Sequence, residues 1–162
     1  MKLISKPLTK DNFRAYGDVI EKAGSENFKI NNGNCTRHND LCRVEITGSG
    51  GEVGINIFTG QPYALPLALS LVERHPLGSQ AFYPLGSQPW LVIVCEDDDG
   101  TPVRPTVFTA SPNQGINLHR GVWHGVLTPL YKASDFLVVD RVGEGSNLEE
   151  HTFDVPFIVD IN

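Results

Sequence analysis

No stretch of this chain approaches the ~20 consecutive apolar residues that a membrane-spanning helix needs. Its opening, MKLISKPLTKDNF, also lacks an apolar core of signal-peptide length. Positive charge is scarce: 13 Lys and Arg stand against 19 Asp and Glu, a net charge of −6. That balance argues against nucleic acid or an anionic membrane as a partner, since both favour a basic face. An anionic substrate in a locally positive pocket remains compatible with it. Cysteine is sparse and odd in number, with Cys35, Cys42 and Cys95 and no C-x-x-C pair. A disulfide framework is therefore disfavoured, and a reduced, cytoplasmic setting is expected. Repeats and low-complexity tracts are missing, and the 16 Gly and 11 Pro are spread along the whole length. The expectation is one domain over residues 1–162, large enough to bury roughly 70 % of the surface its unfolded chain exposes.

What is present reads as β structure. One helix is expected in LTKDNFRAYGDVI, with Thr9 capping the first turn, Phe13 and Tyr16 on one face, and Gly17 ending it. Short β-rich runs follow: LCRVEIT, VGINIF, LALSLVE, QAFYPL, WLVIVC, VRPTVF, VLTPL, DFLVVDR and PFIVDI, separated by turn-rich pieces such as GSGG, TGQP and SPNQG. Closely spaced short strands point to an antiparallel sandwich or barrel. Helices long enough for βαβ crossovers are missing, which argues against a nucleotide-binding α/β fold. WLVIVC and DFLVVDR lack clean alternation, as expected of strands covered on both faces. The acidic EDDDG reads as a solvated hairpin loop, since it lacks the ligand spacing of a calcium loop.

Two polar stretches interrupt this pattern. ERHPLGSQAFYPLG, residues 73–86, starts with Glu73 and His75 two apart on a strand, hence on one face, with Arg74 on the other. HPLGS then turns the chain, and QAFYPL is expected to return antiparallel with Gln80 beside His75. Polar groups facing a barrel interior are costly to bury without partners. The second stretch is GINLHRGVWHG, in which His119 and His124 flank Gly121, a residue suited to a tight turn between strands. Trp90 and Trp123 read as barrel-wall residues, although Trp123 sits inside the second stretch and could wall a pocket. INNGNCTRHND, residues 30–40, reads as a polar loop; its sharper reading brings Arg37 to the barrel mouth. Asp140 and Arg141 are adjacent on a strand, so only one of them can face inward.

The two stretches resemble the paired motifs of the cupin superfamily. The first motif, H-x-H then E then Gly, is matched in spacing by Glu73-x-His75, Gln80 and Gly86. The second, P-x-G-x-x-H, is matched by His119-x-Gly121-x-x-His124. Two identities differ, since Glu73 stands where the first His would be and Gln80 where the Glu would be. ERHPLGSQAFYPLG, GINLHRGVWHG and DFLVVDR, with FRAYGDVI and INNG, resemble more narrowly the ureidoglycolate lyase family of allantoin degradation. That resemblance implies an all-β, cupin-type double-stranded β-helix (a jelly-roll barrel) with a short N-terminal helix, and a homodimer.

It also implies an enzyme that cleaves (S)-ureidoglycolate to glyoxylate and urea. Such a reaction needs a base for the hydroxyl, an acid for the departing nitrogen, and a cationic or Lewis-acid partner for the carboxylate and the developing alkoxide. Glu73, His75, Gln80 and His124 form an O/N set for one divalent ion of the Ni, Mn, Fe or Zn class. The open alternative is metal-free acid–base catalysis by Glu73, His75 and His124, with Gln80 orienting the ureido group. His119 or Glu73 is the candidate proton shuttle, and Arg37, Arg120 and Arg141 are the candidate carboxylate clamps. A different cupin activity on a ureido or hydroxy acid (amidohydrolase or isomerase) and a non-catalytic acid-binding cupin are the competing readings.

Overall fold

The computed structural model describes residues 1–161; Asn162, the end of the expected domain, lies outside them. The chain opens with β1 (Lys2–Ile4), β2 (Lys6–Pro7) and helix α1 (Lys10–Phe13), then β3 (Gly17–Ile20) and a hairpin of β4 (Asn27–Ile30) and β5 (Cys35–His38). There follow β6 (Glu52–Gly60), β7 (Leu67–Arg74), β8 (Gln80–Pro84), β9 (Trp90–Asp98) and β10 (Thr101–Ala110). The short strands β11 (Gly115–Leu118), β12 (Trp123–His124) and β13 (Thr128–Pro129) precede β14 (Ser134–Val142) and β15 (Glu149–Asp160).

Two sheets make the barrel. The larger runs β1-β15-β7-β12-β9-β10-β2, with β13 also on β9; the smaller runs β3-β11-β8-β14-β6. This is the cupin-type jelly-roll that the sequence leads one to expect. α1 is a single turn, capped by Thr9 as expected, with Asn12 bonding back to it; it ends at Phe13 and not at Gly17, which opens β3.

Burial explains the strand patterns. Along β9, Trp90, Val92 and Val94 enter the core between the sheets, where they meet Phe13, Phe82, Phe108 and Phe136. Alternate residues Leu91, Ile93 and Cys95 enter a second cluster with Val72, Leu130 and Val159 on the opposite face. β9 is therefore covered on both sides, which accounts for its unbroken apolar run. β14 is different: Phe136 and Val138 are fully buried, but Leu137 and Val139 on its other face are only half-buried.

Three expectations change. LCRVEIT forms no strand beyond one isolated bridge, Ile46 to Gly78, because its backbone groups bond the 75–79 turn instead (Thr47 N to Leu77 O, 2.8 Å; Ser79 N to Glu45 O, 3.0 Å). INNGNCTRHND is no plain loop but the turn and second strand of the β4–β5 hairpin. Most consequentially, QAFYPL does not pair with β7: β8 crosses to the smaller sheet and pairs with β11 and β14. EDDDG is the expected hairpin turn, with Asp99 and Gly100 at φ 50° and 84° as a two-residue turn of the strand-matched hand requires.

The corner that carries the chain between sheets is pinned by Arg141, only 6 % exposed. Its guanidinium donates to the carbonyls of Thr47 (2.8 Å), Gly143 (3.4 Å) and Glu144 (2.6 Å). Gly78 passes over it so closely that a Cβ there would lie 2.7 Å from the Arg141 Cβ. Removing the donors would cost these part-buried carbonyls their side-chain hydrogen bonds, about 0.5–1.5 kcal/mol each. We expect Arg141→Met to lower the unfolding free energy by about 2–4 kcal/mol in urea titrations; a loss below about 0.5 kcal/mol, the ordinary effect of a surface change, would show that the corner does not depend on it.

Candidate active site

The site is built where β7, β12 and the 75–79 turn meet. Glu73 and His124 are directly opposed across β7 and β12, so their side chains share a face. His75 lies two residues beyond Glu73 on the same side of the chain, and its ring centroid is 5.3 Å from that of His124. Glu73, His75 and His124 each bring one ligand atom to within 4.8 Å of the others. Glu73 Oε1 is 3.8 Å from His75 Nε2, close enough for attraction but too long for a hydrogen bond.

Main-chain carbonyls fix both histidine tautomers. His75 Nδ1 lies 2.7 Å from Asn147 O and His124 Nδ1 3.0 Å from Gly125 O. A carbonyl only accepts, so each Nδ1 carries the proton and each Nε2 presents a lone pair. Both Nε2 atoms are buried without a hydrogen-bond partner among the described residues, and so is Gln80 Oε1. Gln80 is turned inward from β8, and its amide donates to Asp140 Oδ2 at 3.1 Å. The cluster therefore consists of acceptors with no donor among them. Burial sharpens this: it holds the His124 pKa down at about 4, with His75 adding to the effect, and raises that of Glu73.

Such a set fits a divalent cation, because two neutral imidazole nitrogens and a carboxylate are a common ligand combination for first-row metals. It equally fits a donor-rich ligand such as an amide or ureido group.

Several residues singled out in the sequence lie elsewhere. His119 is half-exposed, and its Nε2 faces Asp18 Oδ2 at 3.4 Å, because the turn at Gly121 (φ 78°) separates it from His124. Trp123 neighbours His124 on a strand and so faces the other way, donating to Asp97 Oδ2 at 2.9 Å under the Arg74 guanidinium. Arg141 is consumed by main-chain carbonyls, and Arg37 is exposed on the hairpin above the Phe28 ring. Arg120 is tied to the site's own turn by a 3.3 Å bond from Nη1 to Pro76 O.

One contributor escaped the sequence reading, and a second, Asp140, was left there as an alternative to Arg141. Asn147 aligns His75 through its carbonyl and bonds Leu77 N through its side chain (2.8 Å); nothing in its loop sequence signals this. Asp140 was legible in principle, since Phe136, Val138 and Asp140 alternate onto the inner face.

The His124 shift makes a testable statement about stability. Above about 6.5 the imidazole is neutral in both states, so pH has no leverage through it. Between about 6.5 and about 4 the unfolded chain binds the proton and the folded chain does not, so stability falls as pH falls. Urea unfolding of metal-free protein across this window should show that loss, and His124→Leu should flatten it; equal slopes for both proteins would contradict the assignment.

Known proteins resemble this chain over nearly its whole length. The family model described as ureidoglycolate lyase matches residues 1–160. A ureidoglycolate lyase of Chelativorans sp. (strain BNC1) is 55 % identical over 156 residues, covering 96 % of this chain and 94 % of its own. Those of Mesorhizobium japonicum and Rhodobacter capsulatus are 50 % and 47 % identical, covering 94 % and 98 % of this chain and 93 % and 98 % of their own. On the family match and on these full-length identities, the chain belongs to the ureidoglycolate lyase family.

Proposed function

We propose that this protein cleaves (S)-ureidoglycolate to glyoxylate and urea, as a step of allantoin degradation in the cytoplasm. The observation that carries the reading is the buried, donor-free cluster of Glu73, His75 and His124 in a chain half identical to named ureidoglycolate lyases. Ureidoglycolate supplies what the cluster lacks: a hydroxyl proton to be taken and ureido N–H groups to be accepted.

In the reaction the hydroxyl loses its proton, the C–O bond becomes a carbonyl, and the C–N electron pair leaves with the urea nitrogen, which must be protonated. Glu73 is the proposed proton carrier. Its half-buried carboxylate is more basic than an ordinary one, so it can take the hydroxyl proton and return it to the departing nitrogen. His124, with its pKa held near 4, is a poor base and a good neutral acceptor. His124 and His75 would receive ureido N–H groups or, together with Glu73, hold a divalent ion. When bound, such an ion supplies Lewis acidity toward the substrate hydroxyl. Arg120, fixed beside the 75–79 turn, is the proposed partner of the substrate carboxylate. His119, Arg37, Arg141 and Trp123 are given no direct part.

Purified protein mixed with ureidoglycolate should release glyoxylate and urea in equal amounts and no ammonia. Ammonia would instead indicate an amidohydrolase, and stoichiometric glyoxylate binding without turnover a non-catalytic binder. His75→Ala and His124→Ala should each lower kcat by about a hundredfold or more, and Glu73→Gln by roughly 10²–10⁴; near-normal turnover in all three would sink the assignment. For the ion, chelator-stripped protein should lose activity and regain it with one equivalent of Mn, Fe, Ni or Zn. Full activity without bound metal would remove it from the mechanism.

We also propose that the protein is a homodimer. On the edge strand β6, Val53, Ile55 and Ile57 are 53 %, 73 % and 56 % exposed on one face, an apolar edge that a second copy would cover. Sedimentation should give a dimer for the wild type and a monomer for Ile55→Asp. A monomeric wild type would overturn this.

A further inference from the structure

Gln80 has an amide whose two ends are nearly the same size but opposite in character. Nothing in its shape decides whether oxygen or nitrogen faces the cluster. The decision comes from β14, the strand beside it. Asp140 is in direct register with Gln80 and accepts from its Nε2 at 3.1 Å. A second amide, Asn56 on β6, donates to the other Asp140 oxygen, again at 3.1 Å. Gly54 stands opposite Asp140 on β6 and has no side chain to come between them. The carboxylate is thus held from two sides, Oδ2 by Gln80 and Oδ1 by Asn56.

We propose that Asp140, steadied by Asn56, is a positioning residue that locks the Gln80 amide with its oxygen toward the cluster, and so makes Gln80 an acceptor for a ureido N–H. The argument is one of exclusion. An ionised carboxylate accepts hydrogen bonds and cannot donate. Turning the Gln80 amide over would set its oxygen against a carboxylate oxygen, two acceptors with no proton between them. With the lock in place, Oε1 is the buried, partnerless end, and the fourth group of the site has the same polarity as the other three. A substrate presenting N–H groups is favoured there, and one presenting an oxygen acceptor is disfavoured.

The proposal rests on the lyase reading above, and the test separates the two. Asp140→Asn is nearly isosteric and can still bond Gln80 in either orientation, so the bridge between β8 and β14 survives while the choice of orientation is lost. We expect kcat/KM for ureidoglycolate to fall about tenfold or more with Tm almost unchanged. A purely structural bridge would leave kcat/KM near wild type. In Gln80→Glu two carboxylates face each other, and activity should fall again. The double variant Q80E/D140N should exceed Q80E. Its introduced amide can donate to the introduced carboxylate, whose other oxygen stays free as an acceptor in the site. A double variant no better than Q80E would overturn the lock, and this comparison decides even if Asp140→Asn folds poorly.

A readout independent of turnover uses isotope-labelled protein. The Gln80 side-chain amide signals, identified by their loss in Gln80→Glu, should show one hydrogen-bonded proton in the wild type and shift in Asp140→Asn. Coincident signals in the two proteins would overturn the lock. Wild-type protein that releases no urea would overturn the lyase reading, and the amide signals would then judge the lock on their own.

Discussion

His75 and His124 each give their Nδ1 proton to a main-chain carbonyl, those of Asn147 and Gly125. The character of the site depends on that choice. It commits both Nε2 lone pairs to the interior, next to a carboxylate that burial has made more basic. Had either ring carried its proton on Nε2 instead, the cluster would contain a donor, and Nδ1 would face a carbonyl oxygen with no proton between them. Instead the folded protein keeps three buried acceptor atoms unmatched at this end of the barrel, His75 Nε2, His124 Nε2 and Gln80 Oε1. Each costs about 1–3 kcal/mol in a dry site, a cost that any cation or N–H donor bound there would offset.

Holding such a set together requires rigidity around it, and the corner after β7 supplies this. The 75–79 turn is bonded by the 45–47 segment, by Asn147 and by the backbone of Gly121, which donates to His75 O at 2.9 Å. Arg141 ties the same segment to the far end of β14. Behind the cluster, Arg74 bonds Asp97 and Glu149 at 2.6 Å each and lies 4.5 Å over the Trp123 ring, so the strands bearing Glu73 and His124 are clamped from the opposite face. The polar residues around the site thus divide into a few that look inward and many that keep them there.

That division explains what the sequence could and could not disclose. Strand alternation was enough to put Glu73 and His75 on one face; that His124 joins them was implied by the cupin resemblance, and all three residues do meet. The all-β barrel was legible for the same reason. Arg141 and His119 were not separable from true site residues, since both stand beside inward-facing positions. Which side of a strand faces the core depends on the partner sheet, not on the residue. The passage of β8 into the other sheet was hidden too. Its turn reads as an ordinary hairpin, and only the non-local bonds from residues 45, 47 and 147 direct it away from β7.

That crossing bears directly on the chemistry. If β8 lay beside β7, Gln80 would be a hydrogen-bonded neighbour of the ligand strand, and its amide would be set by whatever lay next to it there. Placed in the smaller sheet, it approaches from across the barrel with Asp140 and Asn56 behind it. The larger sheet and the turn after β7 then supply Glu73, His75 and His124, while the smaller sheet supplies the Gln80 amide. An amide there accepts without adding a second negative charge beside Glu73, which a carboxylate would do. Where the cupin motif carries an acid at this position, a neutral acceptor leaves Glu73 as the cluster's one carboxyl group, so in the proposed mechanism the proton transfers fall to Glu73 alone.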